Sequence, residues 1–250
     1  MTLLFRSVAR SDVGLVRNTN EDAGLAHPRI LAVADGMGGH AAGEVASSTV
    51  ISALLNNLTD EISENWITTT ILLGSKKVAE EIKHDAEKQG MGTTLSLIAS
   101  TGEKAIIGHV GDTRIYVFEN DNLEQLTQDH TYVQELVDRG EISQDEALIH
   151  PRRNLLMRAI DGSRSIDIDV FEIPLRLGQR FLVCSDGLAG VISDVEIATS
   201  LQIEDLTLVV ETLVQKALDN GAPDNVTVVV GEVSENVSEN YLLMRGVEVE

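Results

Sequence analysis

Four aspartates in this chain stand where apolar, β-branched runs end or turn. Ile30 to Ala34 lead into Asp35-Gly36-Met37-Gly38-Gly39, and Arg180 to Cys184 lead into Ser185-Asp186-Gly187. Asp224-Asn225 immediately precedes Val226 to Val230, and Gly111-Asp112-Thr113-Arg114 connects two further runs, 104–110 and 114–118. Taken singly, each Asp-Gly reads first as a turn, and Asp161-Gly162, in a stretch without strand character, shows how common the dipeptide is. The set reads differently. If these strand ends share one rim, their charges repel strongly where water is sparse, and compensating cations are required. Hard divalent ions bound through oxygen supply that compensation, and Gly36 lets the backbone come close enough for its carbonyl to add a ligand. The aspartates lie too far apart in sequence for a 12-residue calcium loop, and six dispersed histidines with one cysteine argue against zinc.

Near the N-terminus, Arg17 stands just before Asn18-Thr19-Asn20-Glu21-Asp22. A guanidinium donates two parallel hydrogen bonds to a phosphate, while Glu21 and Asp22 can hold waters of a hydrated ion. By itself the segment reads first as a solvated loop salt bridge.

Elements must carry these residues. Period-2 or β-branched patterns predict strands over 3–9, 30–34, 94–100, 104–110, 114–118, 166–173, 180–184 and 226–231. Thr101-Gly102-Glu103 and Glu119-Asn120-Asp121-Asn122 have hairpin chemistry, so pairing is antiparallel. Helical spacing of apolar residues predicts helices over 43–58, 64–89 and 205–217, the last closed near Asn220-Gly221. The charged segment 138–165 reads as an exposed flap, and 236–250 as a peripheral acidic tail following a domain over 1–235.

Composition narrows the class. Forty Asp and Glu against 19 Lys and Arg give a formal charge of −21, which repels nucleic acid and anionic membranes. No apolar stretch approaches the ~18 residues of a membrane span, so a soluble protein is expected. The single cysteine, Cys184, lies in an apolar run, which fits a core role and a reducing, cytoplasmic setting. A Gly-x-x-x-x-Gly-Lys-Ser/Thr loop is missing, so P-loop nucleotide chemistry has no support.

The blocks Arg17 to Asp22, Asp35 to Gly39, Gly92-Thr93-Thr94, Gly108 to Arg114, Leu126-Thr127-Gln128-Asp129-His130-Thr131, Ser185 to Leu188 and Asp224 to Thr227 occur in an ordered set. In that order they resemble the metal-dependent protein phosphatase family (PPM, type 2C), in its bacterial form. The resemblance implies an α+β fold, two antiparallel sheets packed as a sandwich and flanked by helix pairs. It also implies serine/threonine phosphatase activity through a metal-bridging hydroxide, with no phosphoenzyme. Two core Mn²⁺ or Mg²⁺ ions and a weaker third are implied, with Asp35 bridging, the Gly36 carbonyl, Asp186 and Asp224 as ligands, and Asp112 on the third. Arg17 is the implied phosphate-binding residue, with Glu21 and Asp22 in a water-mediated outer shell. Substrates implied are proteins phosphorylated by serine/threonine kinases, met by a monomer. Met37 stands where some relatives carry a histidine thought to protonate the leaving group, so the general acid is open between His40 and metal-held water. The alternatives are a catalytically silent phosphoprotein-binding relative and an acidic calcium-binding domain.

Overall fold

The computed structural model describes residues 2–39, 42–235, 237, 240–245 and 248–249. The chain opens with β1 (Leu4–Asp12), β2 (Asp22–His27) and β3 (Ile30–Met37), followed by helices α1 (Ala42–Asn56) and α2 (Glu64–His84). Strands β4 (Gly92–Thr93), β5 (Leu95–Ser100), β6 (Lys104–Val110), β7 (Arg114–Glu119) and β8 (Asn122–Gln125) come next. Two short helices, α3 (Tyr132–Asp138) and α4 (Gln144–Leu148), precede β9 (Asp169–Pro174) and β10 (Arg180–Cys184). The remainder is α5 (Asp186–Ala189), α6 (Asp194–Leu201), α7 (Leu206–Asp219), β11 (Val226–Ser234), β12 (Leu242–Arg245) and β13 (Glu248–Val249).

The strands form two antiparallel sheets, one ordered β1-β11-β10-β7-β8 and the other β13-β12-β2-β3-β5-β6-β9, with β4 appended to β3. Strand alternation sorts side chains between layers. Val228 and Val230 pack with Leu213 and Val214 of α7, whereas Val229 joins Leu31, Val33 and Phe181 between the sheets. Ala32 and Ala34 of β3 face the other way, against Val50, Ile51 and Leu54 of α1 and Ile67 and Ile71 of α2. The result is the four-layer α/β/β/α sandwich that the resemblance implies.

Each hairpin turn has its expected chemistry. Asn120 and Asp121 both take the left-handed conformation (φ 53° and 60°) that a two-residue turn between β7 and β8 requires. Asp205 caps α7 by accepting from the Thr207 N–H, and the chain leaves that helix at Asn220.

Two regions differ from expectation. Within 236–250, β12 pairs along the open edge of β2, and Leu243 and Met244 are buried, so this part of the tail is a sheet strand and not peripheral. The physical reason is that its two consecutive apolar side chains enter separate cores, one beneath α1 and one between the sheets. In the 138–165 segment the surface is exposed as expected, with Ile149 82% accessible, but Ile160 is fully buried and bridges to Thr93. The segment is therefore an excursion pinned at its exit.

Candidate active site

One end of the sandwich collects the acids. β2 and β3 bring Asp22 directly opposite Asp35. Asp35 is fixed by neighbours on β4 and β5: its N–H donates to Thr94 Oγ1 (3.0 Å), and its carbonyl accepts from Thr94 N–H (2.9 Å) and Thr93 Oγ1 (2.8 Å). Asp186 opens α5 directly after β10, and Asp224 sits just ahead of β11. Asp112 occupies the β6–β7 turn and is 8% exposed.

Close backbone approach explains both glycines that follow ligand-type aspartates. A Cβ on Gly36 would lie 2.2 Å from the Gly43 carbonyl oxygen, and one on Gly187 would lie 2.0 Å from that of Asn225. The Gly36 carbonyl faces Gly43 in the first turn of α1. Glu21 accepts the Gly43 N–H there, a carboxylate against the positive end of a helix.

Asn225 ties the N-terminal loop to this end. Its amide donates to the carbonyls of Val13 and Thr19 (2.9 Å each), and its oxygen accepts from the Glu21 N–H (2.9 Å). Ser185 holds Asp22: its hydroxyl donates to Asp22 Oδ2 (2.8 Å) and accepts from the Thr227 N–H (2.9 Å).

Electrostatics identify what this arrangement lacks. Burial pushes the Asp22 carboxyl from 3.8 up to about 7, with Asp186 and Asp224 adding repulsion against hydrogen bonds from Thr227 and Ser185. Asp186 rises to about 6, through burial and then the charge of Asp224. Asp35 is held well above the carboxylate range by burial and by Asp22, Asp186, Asp112 and Asp224, and Asp112 likewise by burial, Asp186 and Asp129. Five aspartates distant in sequence thus lie within electrostatic reach of one another at this end. The protein's own cations are few here. Arg17 donates to Asp224 Oδ2 at 2.7 Å, and Arg114 is engaged by Asp129 in a two-pronged pair (2.9 and 2.8 Å).

The set fits divalent cations. Asp22 Oδ1 and Asp186 Oδ1 are buried with no hydrogen-bond partner, and such atoms are costly unless a donor or cation meets them. Among the described residues, no three His, Cys, Asp or Glu side chains close on a single point by themselves.

Sequence reasoning named Arg17, Glu21, Asp22, Asp35, Gly36, Asp112, Asp186 and Asp224, and the structure brings all eight to this end. It pairs Arg17 with Asp224, because a half-exposed cation beside an anionic rim pairs with the nearest carboxylate. His40 lies outside the described residues. Cys184 is fully buried, its thiol pushed up to about 12 by burial, as befits a core residue. Thr93, Thr94, Ser185 and Asn225 were missed as positioning residues, and their signal was polar character inside or beside apolar strands.

Beside the rim, a cleft of ≈ 130 Å³ runs between Asp112 and Asp186 on one side and Leu148, Arg153 and Asn154 of the flap on the other. It shares Arg114, Gln134 and Gln144 with a wider groove of ≈ 800 Å³.

A family model described as Protein phosphatase 2C matches residues 18–220. The chain is 44% identical over 236 residues to the serine/threonine protein phosphatase PstP of Mycobacterium tuberculosis, covering 93% of this chain and 46% of that protein. It therefore spans about half the length of the first curated relatives it matches. It is 36% identical to the serine/threonine phosphatase stp of Listeria monocytogenes, covering 89% of this chain and 94% of that one. The crystal structure of the catalytic domain of PstP in complex with 2 manganese ions superimposes with TM-score 0.87 at 42% identity, covering 94% of this chain and 100% of that chain.

Proposed function

This chain belongs to the protein phosphatase 2C family, and from that membership we propose that it is a metal-dependent phosphatase of phosphoserine and phosphothreonine in proteins. The observation that carries the reading is the gathering of buried Asp22 and Asp112 with half-buried Asp35 and Asp186, two carboxylate oxygens left unpartnered, at the end of the sandwich where Arg17 also lies. Mn²⁺ or Mg²⁺ would be held by Asp35, the Gly36 carbonyl, Asp186 and Asp224, with Asp112 on a weaker third ion. Bound there, the ions supply Lewis-acid charge that activates water and neutralises the phosphate ester.

The chain's own residues do the rest. Arg17 stays cationic beside Asp224 and commits one N–H to it, which leaves further donors of its planar fork for phosphoryl oxygens. Ser185, Thr94 and Asn225 hold the carboxylates and the Glu21 loop in place, so that little reorganisation is needed when substrate arrives. The cleft under the flap admits the residues flanking the phosphorylated side chain.

Among the described residues, no helix is long and apolar enough to cross a membrane. We place the activity in the cytoplasm, in a monomer, on substrates of serine/threonine kinases; a sequence with one cysteine, buried in the core, accords with a reducing compartment.

Chelation followed by re-addition of Mn²⁺ tests this, with hydrolysis and binding of a phosphothreonine peptide measured in parallel. Activity should vanish and return, and Asp35→Asn or Asp186→Asn should abolish turnover. Peptide binding without hydrolysis at saturating Mn²⁺ would establish the silent, phosphoprotein-binding alternative.

A further inference from the structure

His130 sits beside the carboxylate rim without belonging to it. It is 9% exposed and grips the residue before Asp112 twice: its own N–H donates to the Gly111 carbonyl (2.8 Å), and the Gly111 N–H donates to its Nδ1 (3.1 Å). A backbone N–H can only donate, so Nδ1 must be the acceptor and the ring's proton lies on Nε2. Nε2 meets Asp169 Oδ2 at 3.1 Å and lies 3.2 Å from Arg158 Nη1, which can only donate and so gives its hydrogen to Asp169 Oδ1 (2.9 Å). The His130 carbonyl accepts the N–H of Met157 (2.8 Å), in the returning part of the flap.

The far side of the ring is equally fixed. His109 packs on it with 4.5 Å between ring centres, itself anchored by Nε2 on the Gln128 carbonyl (2.9 Å). Beyond Asp112, Ser96 Oγ donates to the Thr113 carbonyl (2.8 Å) and accepts from Thr113 Oγ1 (2.9 Å). Asp112 is therefore held at both neighbours, by Ser96 after it and by His130 before it.

We propose that His130 is a positioning residue for Asp112, which through Nδ1 sets the Gly111-Asp112 peptide and, through Nε2 and its own carbonyl, makes the start of β9 and the returning part of the flap members of the same unit. This rests on the reading of Asp112 as the ligand of a weakly held ion. Groups that orient ligands from outside the ligand shell change metal affinity by roughly 10- to 100-fold when removed.

Two substitutions separate the arms of the ring. In His130→Asn the amide oxygen occupies the place of Nδ1 and keeps an acceptor for Gly111. In His130→Gln the longer amide reaches the place of Nε2 and loses that acceptor. Gly111 amide exchange in metal-free protein and Mn²⁺ titration followed by electron paramagnetic resonance read the two consequences.

In His130→Gln, Gly111 exchange should accelerate and the weakest Mn²⁺ site should lose roughly tenfold in affinity. His130→Asn should stay within about twofold of the parent on both readouts, well short of the loss that follows removal of an orienting group, because Gly111 keeps its acceptor. On an Asp112→Asn background, His130→Gln should change Mn²⁺ binding no further, since the two act through one ligand. Equal losses in the Asn and Gln variants, no loss in either, or a Gln effect that persists without Asp112 would overturn the proposal. Failure of the parent to hydrolyse phosphopeptide with Mn²⁺ would sink the phosphatase reading alone, because neither readout here depends on turnover.

Discussion

Replacing Asp22 by Asn should stabilise the metal-free protein at alkaline pH, although it alters a buried residue in the most polar part of the core. Asp22 is 1% exposed, lies opposite Asp35, and has one oxygen on Ser185 and the other unpartnered. Its carboxyl titrates near 7 in the folded chain against 3.8 when unperturbed. The sign follows from proton counting. Between pH 3.8 and about 7 the folded state binds a proton that the unfolded state has released, so stability falls as pH rises through that window, and above it the full cost of a buried charge is present. A difference of about 3 units corresponds to about 4 kcal/mol at 1.36 kcal/mol per unit, and to less where Asp35 and Asp186 share the same protons. Asn keeps an oxygen for the Ser185 hydroxyl and carries no charge. Urea unfolding of chelated protein should therefore show parent and variant converging near pH 4 and the variant ahead by about 2 to 4 kcal/mol at pH 8. Saturating Mn²⁺ should narrow or reverse the gap, because an ion that binds the folded parent more tightly than the variant, whose outer-shell charge is gone, stabilises the parent more by mass action. A variant no more stable than the parent at pH 8, or a gap that does not narrow on acidification, would refute the view that surplus buried charge is what the cation relieves.

Arg17→Ala should raise KM for a phosphopeptide roughly tenfold with a smaller fall in kcat, about 1.4 kcal/mol of phosphate binding, as steady-state kinetics would show. Gly187→Ala places a methyl 2.0 Å from the Asn225 carbonyl, and thermal unfolding should report a loss of about 1 to 3 kcal/mol or more. Deleting 240–250 exposes the edge of β2 and removes the buried Leu243 and Met244; the melting temperature should drop by several degrees while Mn²⁺ binding through Asp35, Asp186 and Asp224, which β12 does not pair with, persists.

What could be read from the chain follows physical lines. Strands with β-branched alternation, such as Val226 to Val230 and Arg180 to Cys184, announce themselves, and so do the aspartates at their ends. β2 does not, because Asp22-Ala23-Gly24-Leu25-Ala26-His27 is made of small residues whose strand state comes from neighbours on both sides. Helices α5 and α6 are too short to show a period, although the capping box of Ser193 with Glu196 is a local signal that was available. Pairings across the fold are the least legible: Arg17 and Asp224 are 207 positions apart, and Ser185 reaches Asp22 across 163. Polar residues at strand ends can be seen in one dimension, but their partners are chosen by topology.

The charge balance of the site constrains how substrate can enter it. Five aspartates meet where Arg17 is the cation at hand and is already engaged with Asp224, while Arg114 is committed to Asp129. A phosphate dianion approaching such a rim meets repulsion from the same charges that need relief, within a chain whose formal charge is −21. Divalent cations reverse the local sign, so metal binding and phosphate binding cannot be separate properties here. On the proposed reading Arg17 would act on a phosphate whose charge is already largely met, which is why its loss should appear in KM before kcat. The same field favours phosphorylated segments flanked by Lys or Arg, whose attraction to the acidic surface is long-ranged and fades with salt. Phosphopeptides with basic flanks should lose their kcat/KM advantage over neutral ones between low and high ionic strength, while the Mn²⁺ requirement of both stays the same.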